Sequence, residues 1–563
     1  MQASYLFCLA AAACQTAAQP PPPPPPPATT VHCDVIVAGG SLSSVAAAVS
    51  AANTSAALAV CLLDPTDWLG GQLTASAVPA VDFGPENAVP ANLPASLSAF
   101  LFGAHMPNAT NLGKCWVSKK CFDPRLAVQD FFAPLTAALP NLRVFLRTAV
   151  AHAARDAATG GLLGVTGVQR APRAGVDEWD TLTSAQLADW YSPAASPRFT
   201  KEVLEFTLPP RGGVVIEATE FGDVLATSGL PFAQGIEAPA EASSAYLSTC
   251  GQGTTVPFYV TYGAHAAPSP DPAPPGASGG LPYSQQGMSW DRDWTYRRVA
   301  AGAGSAGDAG APGETSVINV GGGNDLSNAY LFYGLDSAEL AAQRAAKFAW
   351  RGGVNTSALA MGEQRAYGFY HWFKANASGA ARGDASASLY LNTAWAGTTH
   401  GLARMPYLRD ARRSAGGLGG FRVFKDNLTV PGAWRRAAVA FPDAVGIGMY
   451  FYADIHKMTA EACAYPAYIA PGDPVLPYYI PFRALTVAGA PNLLVAGKAM
   501  ATSFFAGAAM RLHPEEWVSG VAAGCAAGLM AQRGWSAQDA LQNVQEVRSL
   551  IHSMGSPLNW TLH

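Results

Sequence analysis

One segment, from Asp34 to Asp64, constrains the fold of this chain more than any other. Residues 35–38 form an apolar run typical of a buried parallel strand, and the tight turn Gly39-Gly40-Ser41 follows it directly. An alanine-rich stretch then predicts a helix, and a second apolar strand is predicted over 57–63, just before Asp64. This order of elements is typical of the βαβ unit in which the N-terminus of a helix binds the diphosphate of a dinucleotide.

The glycine fingerprint of this turn is incomplete. In the pattern G-x-G-x-x-G, Gly39 supplies the first glycine, whereas Ser41 and Ser44 stand at the second and third positions. Serine is small enough to allow a phosphate to approach closely, and its hydroxyl can donate a hydrogen bond to a phosphate oxygen. Asp64 follows at close to the spacing of about 20 residues at which a carboxylate binds a ribose hydroxyl. An ordinary buried βαβ unit of another α/β fold is the alternative interpretation.

A glycine pair lies just past the acidic end of the second strand. Gly70 and Gly71 are followed by Gln72 within the segment 65–74. Flavoproteins use such a segment to run along the diphosphate and ribityl chain of FAD, and domains that bind only NAD rarely need one. The segment therefore favours a flavin cofactor, with a glycine-rich surface turn as the alternative.

Further short motifs follow in order over nearly the whole chain. They lie at residues 39–41, 64–74, 115–125, 189–193, 197–202, 216–225, 294–298, 324–325, 405–413, 480–483, 492–498 and 511–517. In their order and coverage, they resemble the FAD-dependent oxidoreductases of the glutathione-reductase-like flavoprotein superfamily. The chain departs from the family pattern at Ser44, in place of the third glycine, and at Lys498, where members often carry arginine.

The resemblance implies an α/β fold, with a discontinuous Rossmann-like FAD-binding domain and a large inserted α+β substrate domain. The FAD-binding domain is expected over 31–235 and again over 479–563. The inserted substrate or cap domain is expected over 236–478. A signal peptide over 1–18 and a proline-rich linker over 19–30 precede them.

The resemblance also implies which residues bind FAD. A helix predicted over 515–532 is rich in glycine and alanine, and in the resembled fold its N-terminus points at the flavin, where the helix dipole stabilises negative charge on the reduced ring. The implied FAD-binding residues are Gly39, Gly40, Ser41, Asp64, Gly70, Gly71, Gln72, Val150, Ala218, Thr219, Gly222, Gly497, Arg511, Gly520 and Ala523.

Three histidines are candidates for the base that accepts a substrate proton. His513 precedes the flavin-facing helix and is the first candidate, although a structural histidine that bonds a loop carbonyl is the alternative. His456 and His400 lie in the inserted region, which is expected to cover the flavin. No metal site is predicted, because the C-x5-C pair has no second pair of ligands nearby.

The composition excludes some classes of partner. Only 13% of residues are charged and the net charge is −4, which leaves no basic surface for nucleic acid or an anionic membrane. The apolar run near the N-terminus is far shorter than the roughly 18 residues that span a membrane. The expected partner is a small-molecule substrate, without nucleic acid and without stable membrane insertion.

The cysteines and the N-terminal segment point to the secretory pathway. Cys115 and Cys121 are spaced to form a disulfide, with two free thiols as the alternative. Cys33, Cys61 and Cys525 are expected to be small buried hydrophobic residues. Glycosylation in a secreted protein is permitted by sequons at Asn53, Asn108, Asn355, Asn376, Asn427 and Asn559.

The sequence thus predicts a secreted FAD-dependent oxidoreductase that transfers a hydride from a small organic substrate, such as a sugar or polyol-type alcohol or an amine, to FAD. The electrons then pass to oxygen or another acceptor. The alternative is an extracellular glycan- or small-molecule-binding protein with a flavoprotein fold and no turnover. An NAD(P)-dependent dehydrogenase without flavin is a third interpretation, which the pair Gly70-Gly71 disfavours.

Overall fold

The computed structural model describes residues 28–82, 84, 89–103, 113–118, 120–263, 270, 290–301, 312–375, 389–429, 438–456, 463, 466–469 and 474–561. The signal peptide expected over 1–18 and most of the linker expected over 19–30 lie outside the described residues. The last three residues of that linker are not a linker, because they begin the strand Ala28–His32.

A six-stranded central sheet organises the fold. Five of its strands are parallel, and the short edge strand Thr486–Val487 is antiparallel to its neighbour. The strands come from both ends of the chain, as a discontinuous domain requires. In spatial order they are Thr486–Val487, Ala490–Val495, Val214–Glu217, Val35–Ala38, Val60–Leu63 and Leu142–Phe145.

Both faces of this sheet are buried. Along Val35–Ala38 the side chains alternate, so that Val35 and Val37 join one apolar cluster and Ile36 and Ala38 another. The first cluster contains the helices Leu42–Thr54 and His513–Arg533, hereafter the first helix and the glycine-rich helix. A parallel strand that is buried on both faces carries apolar side chains at consecutive positions, which explains the continuous apolar runs in the sequence.

The first helix and the glycine-rich helix touch backbone to backbone. A Cβ atom on Gly520 would lie 2.3 Å from the carbonyl oxygen of Ser43, and one on Gly524 would lie 2.2 Å from that of Ala47. The small residues of the glycine-rich helix are therefore required by helix packing. Gly520, assigned to FAD binding from the sequence, occupies this helix–helix contact.

Three further groups of strands complete the described sheets. A four-stranded sheet beside the central one contains Ala28–His32, Phe199–Thr207, Leu162–Pro172 and Thr148–Arg155. The expected inserted region holds an antiparallel sheet of Arg298–Ala300, Thr315–Ile318, Phe258–Tyr262 and Leu389–Leu391. Two-stranded pairs are formed by Ile236–Glu237 with Tyr246–Leu247, Thr254–Thr255 with Asp325–Leu326, Phe232–Ala233 with Arg413–Ser414, and Ala444–Gly448 with Tyr478–Pro481.

The remaining described helices are mostly short, with one long helix in the expected inserted region. They are Ala95–Phe102, Pro124–Leu126, Ala127–Phe132 (a π-helix), Ala133–Ala137, Thr183–Trp190, Asp223–Thr227, Trp290–Tyr296, Ala338–Arg344, Thr356–Ala375, Thr393–Ala396, Lys425–Leu428, Phe504–Met510, Ala537–Gln542 and Val544–Ser553. In the part of the chain that the structure describes, no helix combines the length and the apolarity that crossing a membrane takes.

Three disulfides connect the described cysteines. The expected pair Cys115–Cys121 is confirmed. The expectation that Cys33 and Cys61 are unpaired buried residues is wrong, because they form a disulfide beside the adjacent parallel strands Val35–Ala38 and Val60–Leu63. A third disulfide, Cys250–Cys463, was not predicted, and Cys525 is a buried free thiol as expected.

Candidate cofactor and substrate site

The turn predicted to bind the diphosphate lies at the carboxyl end of the strand Val35–Ala38. A Cβ atom on Gly39 would lie 2.6 Å from the carbonyl oxygen of Leu63, and Gly40 has a φ of +122°. Ser41 caps the first helix, since its hydroxyl accepts a hydrogen bond from the backbone N–H of Ser44 at 3.3 Å. The Ser44 hydroxyl donates to the Ser41 carbonyl at 2.7 Å, so both serines are held within the turn.

A carboxylate from the far end of the chain lies on this helix N-terminus. Glu516, fully buried in the glycine-rich helix, accepts hydrogen bonds from the backbone N–H groups of Leu42 at 3.1 Å and Ser43 at 3.4 Å. These amides are the donors that a helix N-terminus offers to an anion. Sequence reasoning missed Glu516, because two glutamates in the first turn of a helix are the ordinary complement of its dipole.

Two more buried charges surround Glu516. The Nζ of Lys498 lies 2.8 Å from Glu516 Oε1 and 2.9 Å from Glu220 Oε2. Burial opposes the charge on Lys498, but the attraction of Glu220 and Glu516 raises the pKa of its ammonium above the usual value. Gly497 packs against the same group, because a Cβ there would lie 2.5 Å from Ser43 Oγ. The expected FAD residue Gly497 therefore does lie beside the first helix.

The glycine pair folds back onto the same turn. Gly70 and Gly71 adopt φ angles of 105° and 51°, and a Cβ on Gly71 would lie 2.6 Å from Ser41 Cα. Gln72 is fully buried, and its Nε2 donates to the carbonyl of Arg511 at 3.4 Å. The alternative of a glycine-rich surface turn is wrong.

Asp64 is buried and keeps one oxygen without a hydrogen-bond partner. Its Oδ1 accepts hydrogen bonds from the backbone N–H and the hydroxyl of Thr66, each at 2.9 Å. Its Oδ2 is buried and has no hydrogen-bond partner, and burial raises the pKa of the carboxyl group to about 7. A buried acceptor of this kind fits a hydroxyl donor such as that of a ribose.

The remaining expected FAD residues lie in four different places. Ala218 and Thr219 follow the central strand Val214–Glu217, and the Ala218 N–H donates to the carbonyl of Ala38 at 2.8 Å. Val150 pairs with Gly167 in the neighbouring sheet. Gly222 instead packs on the expected inserted region, because a Cβ there would lie 2.6 Å from Arg412 Cβ. Ala523 is buried in the glycine-rich helix.

These residues fit FAD. The unpartnered oxygen of Asp64 suits the ribose, the tight glycine turns suit close approach of a backbone to the diphosphate, and the first helix presents its amides there. Asp64, Gly39, Gly40 and Ser41 would hold the nucleotide half of the cofactor. Glu516 shares the amides that this arrangement assigns to the diphosphate.

A separate cavity of about 310 Å³ lies between the central fold and the expected inserted region. Its wall combines aromatic rings with charged and amide side chains, which suits a small polar ligand. The described side chains that line it are Asp82, Trp116, Asp293, Tyr296, Arg297, Asn319, Tyr407, Arg409, Tyr450, Tyr452, Asp454 and His456.

His456 stands between two carboxylates in this cavity. Its Nδ1 lies 3.4 Å from Asp325 Oδ2 and its Nε2 lies 3.3 Å from Asp454 Oδ1. Although burial would raise it, the charge of Arg409 and the contact with His456 lower the pKa of Asp325 to about 2. Burial also opposes the charge on Asp454, but the nearby charges of His456 and Arg511 hold the pKa of that carboxyl group below its usual value, so both carboxylates are ionised at neutral pH. Sequence reasoning included His456 but gave a role to neither carboxylate. Asp325 is far from His456 along the chain, and the sequence does not show that Asp454, two residues away, faces the ring.

Arg511 connects the cavity to the glycine pair. Its guanidinium donates to the hydroxyl of Tyr407 at 2.7 Å and to Asp454 Oδ2 at 2.6 Å, while its carbonyl accepts from Gln72. The glycine-rich helix begins two residues later, at His513. The cavity and the expected flavin-facing elements thus share one buried arginine.

The other two candidate bases are placed differently. His513 Nδ1 accepts from the backbone N–H of Asp82 at 3.2 Å, and its Nε2 lies 3.1 Å from the carbonyl oxygen of Val78. Burial lowers the pKa of His513 to about 3, so the ring is neutral and both nitrogens are engaged by backbone groups. This geometry matches the structural alternative. His400, whose Nδ1 accepts from the N–H of Leu402, is not among the described residues that line the cavity.

Comparison with known proteins identifies the family. The family model "FAD dependent oxidoreductase" matches residues 34–178 and 200–551. No curated protein matches the chain.

Solved structures similar to the chain include a reductase, a monooxygenase and a dehydrogenase. A variant of the E. coli quinol fumarate reductase FrdA is 11% identical over 93% of this chain and 74% of that chain, with a TM-score of 0.27. The p-nitrophenol 4-monooxygenase PnpA from Pseudomonas putida DLL-E4 is 14% identical over 41% and 48%, with a TM-score of 0.21. The L-proline dehydrogenase from P. horikoshii is 14% identical over 33% and 22%, with a TM-score of 0.17. This chain spans less than half of the length of the last two.

The family model covers most of the chain, including the strand–turn–helix unit, the glycine pair and the glycine-rich helix. The chain therefore belongs to the FAD-dependent oxidoreductase family, and its cofactor is FAD.

Proposed function

We propose that this protein oxidises a sugar or polyol-type alcohol, or a comparable small amine, bound in the cavity beside His456. The observation that carries the proposal is the placement of His456 between Asp325 and Asp454, with Arg511 joining Asp454 to the glycine-rich helix. Aromatic walls interleaved with carboxylates, arginine and asparagine suit a ligand that has many hydroxyl groups and small apolar faces.

FAD, when bound, supplies the acceptor for a hydride. The chain then needs to bind the substrate, orient it and take the proton of its hydroxyl group. In our proposal, Asp325 orients the ring of His456 through Nδ1, and the substrate hydroxyl replaces Asp454 as the partner of Nε2. Nε2 then accepts the hydroxyl proton as the carbon loses its hydride. Asp454 stabilises the imidazolium that forms. The alcohol becomes a carbonyl compound, and the two electrons pass on to oxygen or another acceptor.

Anaerobic titration of the FAD-loaded protein with polyols, sugars and amines tests this function. A substrate should bleach the absorbance of oxidised flavin, and readmitted oxygen should restore it if oxygen is the acceptor. Ligand binding without bleaching across the panel would contradict the proposal and favour the binding-protein alternative.

We further propose that the protein is secreted. The three disulfides support this, because such bonds persist in oxidising compartments. The apolar N-terminal stretch and the exposed sequon residues Asn53 and Asn559 are also compatible with export.

Thiol counting tests both the disulfides and the cleavage of the signal peptide. The chain has 9 cysteines, of which Cys8 and Cys14 lie in the expected signal peptide. The mature, denatured, unreduced protein should therefore expose a single thiol, that of Cys525. A count of three together with a mass that includes residues 1–18 would indicate an uncleaved chain, and more than one thiol in the cleaved chain would contradict the oxidised state.

A further inference from the structure

The N-terminus of the first helix is satisfied within the protein itself. Glu516 has no exposed surface, and both of its oxygens are engaged, one by the amides of Leu42 and Ser43 and the other by Lys498. The contact joins residues that are 474 positions apart in the chain. Such an arrangement costs desolvation of a carboxylate, which the amides and the ammonium group offset.

A second observation concerns space at the same position. The Gly70-Gly71 turn lies directly on the Gly40-Ser41 turn, so closely that a Cβ on Gly71 would lie 2.6 Å from Ser41 Cα. On the other side, Gly497 packs against Ser43, and a Cβ there would lie 3.4 Å from the carboxyl carbon of Glu516. The amides of the first helix are thus enclosed by the two glycine segments and the carboxylate.

We propose that Glu516 is an internal anion that competes with the diphosphate of FAD for the N-terminus of the first helix. A diphosphate carries negative charge of its own, and two anions cannot share the same two amides in a buried site without strong repulsion. FAD binding therefore requires the Glu516 carboxylate to leave Leu42 and Ser43, and the affinity for FAD includes the cost of that displacement.

When the carboxylate of Glu516 moves away, the ammonium group of Lys498 leaves a positive charge at the site. It lies between Glu516 and Glu220, and Glu220 lies on the segment that follows the central strand Val214–Glu217. Once Glu516 has been displaced, the ammonium group of Lys498 stays held by Glu220, next to the incoming diphosphate. Glu516 thus occupies the cofactor site until FAD displaces it, and Lys498 holds the carboxylate there in the absence of FAD. This inference rests on FAD as the cofactor of the family and is independent of the proposed substrate.

The test compares Glu516→Gln with Glu515→Gln in the full mature protein. The two substitutions remove one buried carboxylate each from adjacent positions of the same helix turn. Glu515 accepts from the backbone N–H of Met449 at 2.8 Å instead of from the first helix. Apoprotein is titrated with FAD and separately with ADP, which carries the diphosphate without the flavin, and binding is followed by calorimetry and by flavin fluorescence.

Glu516→Gln should bind FAD and ADP at least about tenfold more tightly than the wild type, the scale of one charge-assisted hydrogen bond. Glu515→Gln should not gain affinity for either ligand. Without ligand, Glu516→Gln should melt at a lower temperature than the wild type, and saturating FAD should raise its Tm by more than it raises that of the wild type.

Unchanged or weaker FAD binding by Glu516→Gln, or an equal gain in both variants, would overturn the proposal. If Glu516→Gln does not fold, Glu516→Asp keeps the charge but shortens the side chain, and it should tighten FAD binding to a smaller extent; no gain in that variant would likewise overturn it. Because no substrate is present, failure here leaves the proposed oxidation of an alcohol or amine untouched, and failure of substrate bleaching leaves this result untouched.

Discussion

The expected FAD site, hereafter the cradle, is formed by the turns at 39–41 and 70–71, Asp64 and the N-terminus of the first helix, and it is built in the opposite way to the cavity beside His456. In the cradle, backbone turns and a helix end line the site, and nearly every described polar group has an internal partner, with Asp64 Oδ2 and the side-chain oxygen of Gln72 as exceptions. In the cavity, long side chains project from several segments around about 310 Å³ of open space. Ligand binding in the cradle therefore depends on close packing and on the displacement of internal groups. Ligand binding in the cavity depends on charged side chains, so substitution of those side chains can change which ligand binds there.

The largest effect that separates the two regions should come from His456. We expect His456→Asn to slow substrate-dependent flavin reduction by roughly a hundredfold or more, the usual contribution of a general base. The affinity for FAD should stay unchanged, because the ring of His456 lies against Asp325 and Asp454 in the cavity, whereas the turn expected to bind the diphosphate lies at the carboxyl end of Val35–Ala38. Stopped-flow reduction and FAD titration measure the two quantities.

His400→Asn is the matched control for this substitution. His400 is buried, whereas His456 is half-buried, and burial lowers the pKa of the His400 ring to about 4. His400 lies away from the described wall of the cavity. Reduction of the flavin should proceed at the wild-type rate in this variant. If His400→Asn slowed flavin reduction as much as His456→Asn, the assignment of the base to His456 would be contradicted.

Asp64 should make the stability of the cradle depend on pH. Its pKa is raised by burial from 3.8 to about 7 in the folded protein, so folding is favoured while the carboxyl group is protonated. The free energy of unfolding should fall as the pH rises from about 4 through about 7, by at most about 4 kcal/mol at 1.36 kcal/mol per pKa unit. Asp64→Asn should flatten this part of the profile in urea unfolding of the apoprotein.

FAD should distinguish this role from a purely structural one. Because Asp64 Oδ2 has no partner in the protein, a ribose hydroxyl would supply one. Asp64→Asn should therefore lose affinity for FAD while it gains stability at neutral pH as apoprotein. A variant that lost both would show that Asp64 stabilises the fold independently of the nucleotide.

Gly520 tests close packing in the cradle. A Cβ at this position would lie 2.3 Å from the Ser43 carbonyl, so Gly520→Ala should separate the two helices and cost about 2 kcal/mol, within the range for overpacking. In the helix Thr356–Ala375, Gly362→Ala is the control, since its Cβ would have 3.4 Å to the nearest atom. That variant should be neutral or slightly more stable. Thermal unfolding measures both, and equal losses would contradict the packing argument.

Parts of this comparison were accessible from the sequence because their signals are local. The apolar runs at 35–38 and 57–63, the glycine turn and the alanine-rich helix each carry a short pattern, and the structure places a strand, a turn and a helix there. Cys115 and Cys121 lie close enough in the chain to be paired by spacing. The FAD cofactor followed from the same patterns and from the family resemblance.

The sequence carries no such local pattern for contacts between distant segments. The disulfide Cys33–Cys61 arises because parallel pairing brings the starts of two strands together, while each cysteine by itself reads as a small buried residue. His513 looked like a base because it precedes a flavin-facing helix, but its two nitrogens are engaged by loop backbone from residues 78–82. His456 is the stronger candidate for the base, because the tertiary structure places Asp325 and Asp454 on either side of its ring.

The sequence by itself determined the βαβ unit from Asp34 to Asp64, the glycine pair that follows it, and the family. These features depend on residues that are neighbours in the chain, so hydrophobic period, turn chemistry and motif order reveal them. Only the tertiary structure decided that the anion position of the first helix holds Glu516 and that the cavity centres on His456. The contact of Glu516 joins residues 474 positions apart, and Asp325 reaches His456 from a separate segment, so both arrangements are set by the packing of the whole chain.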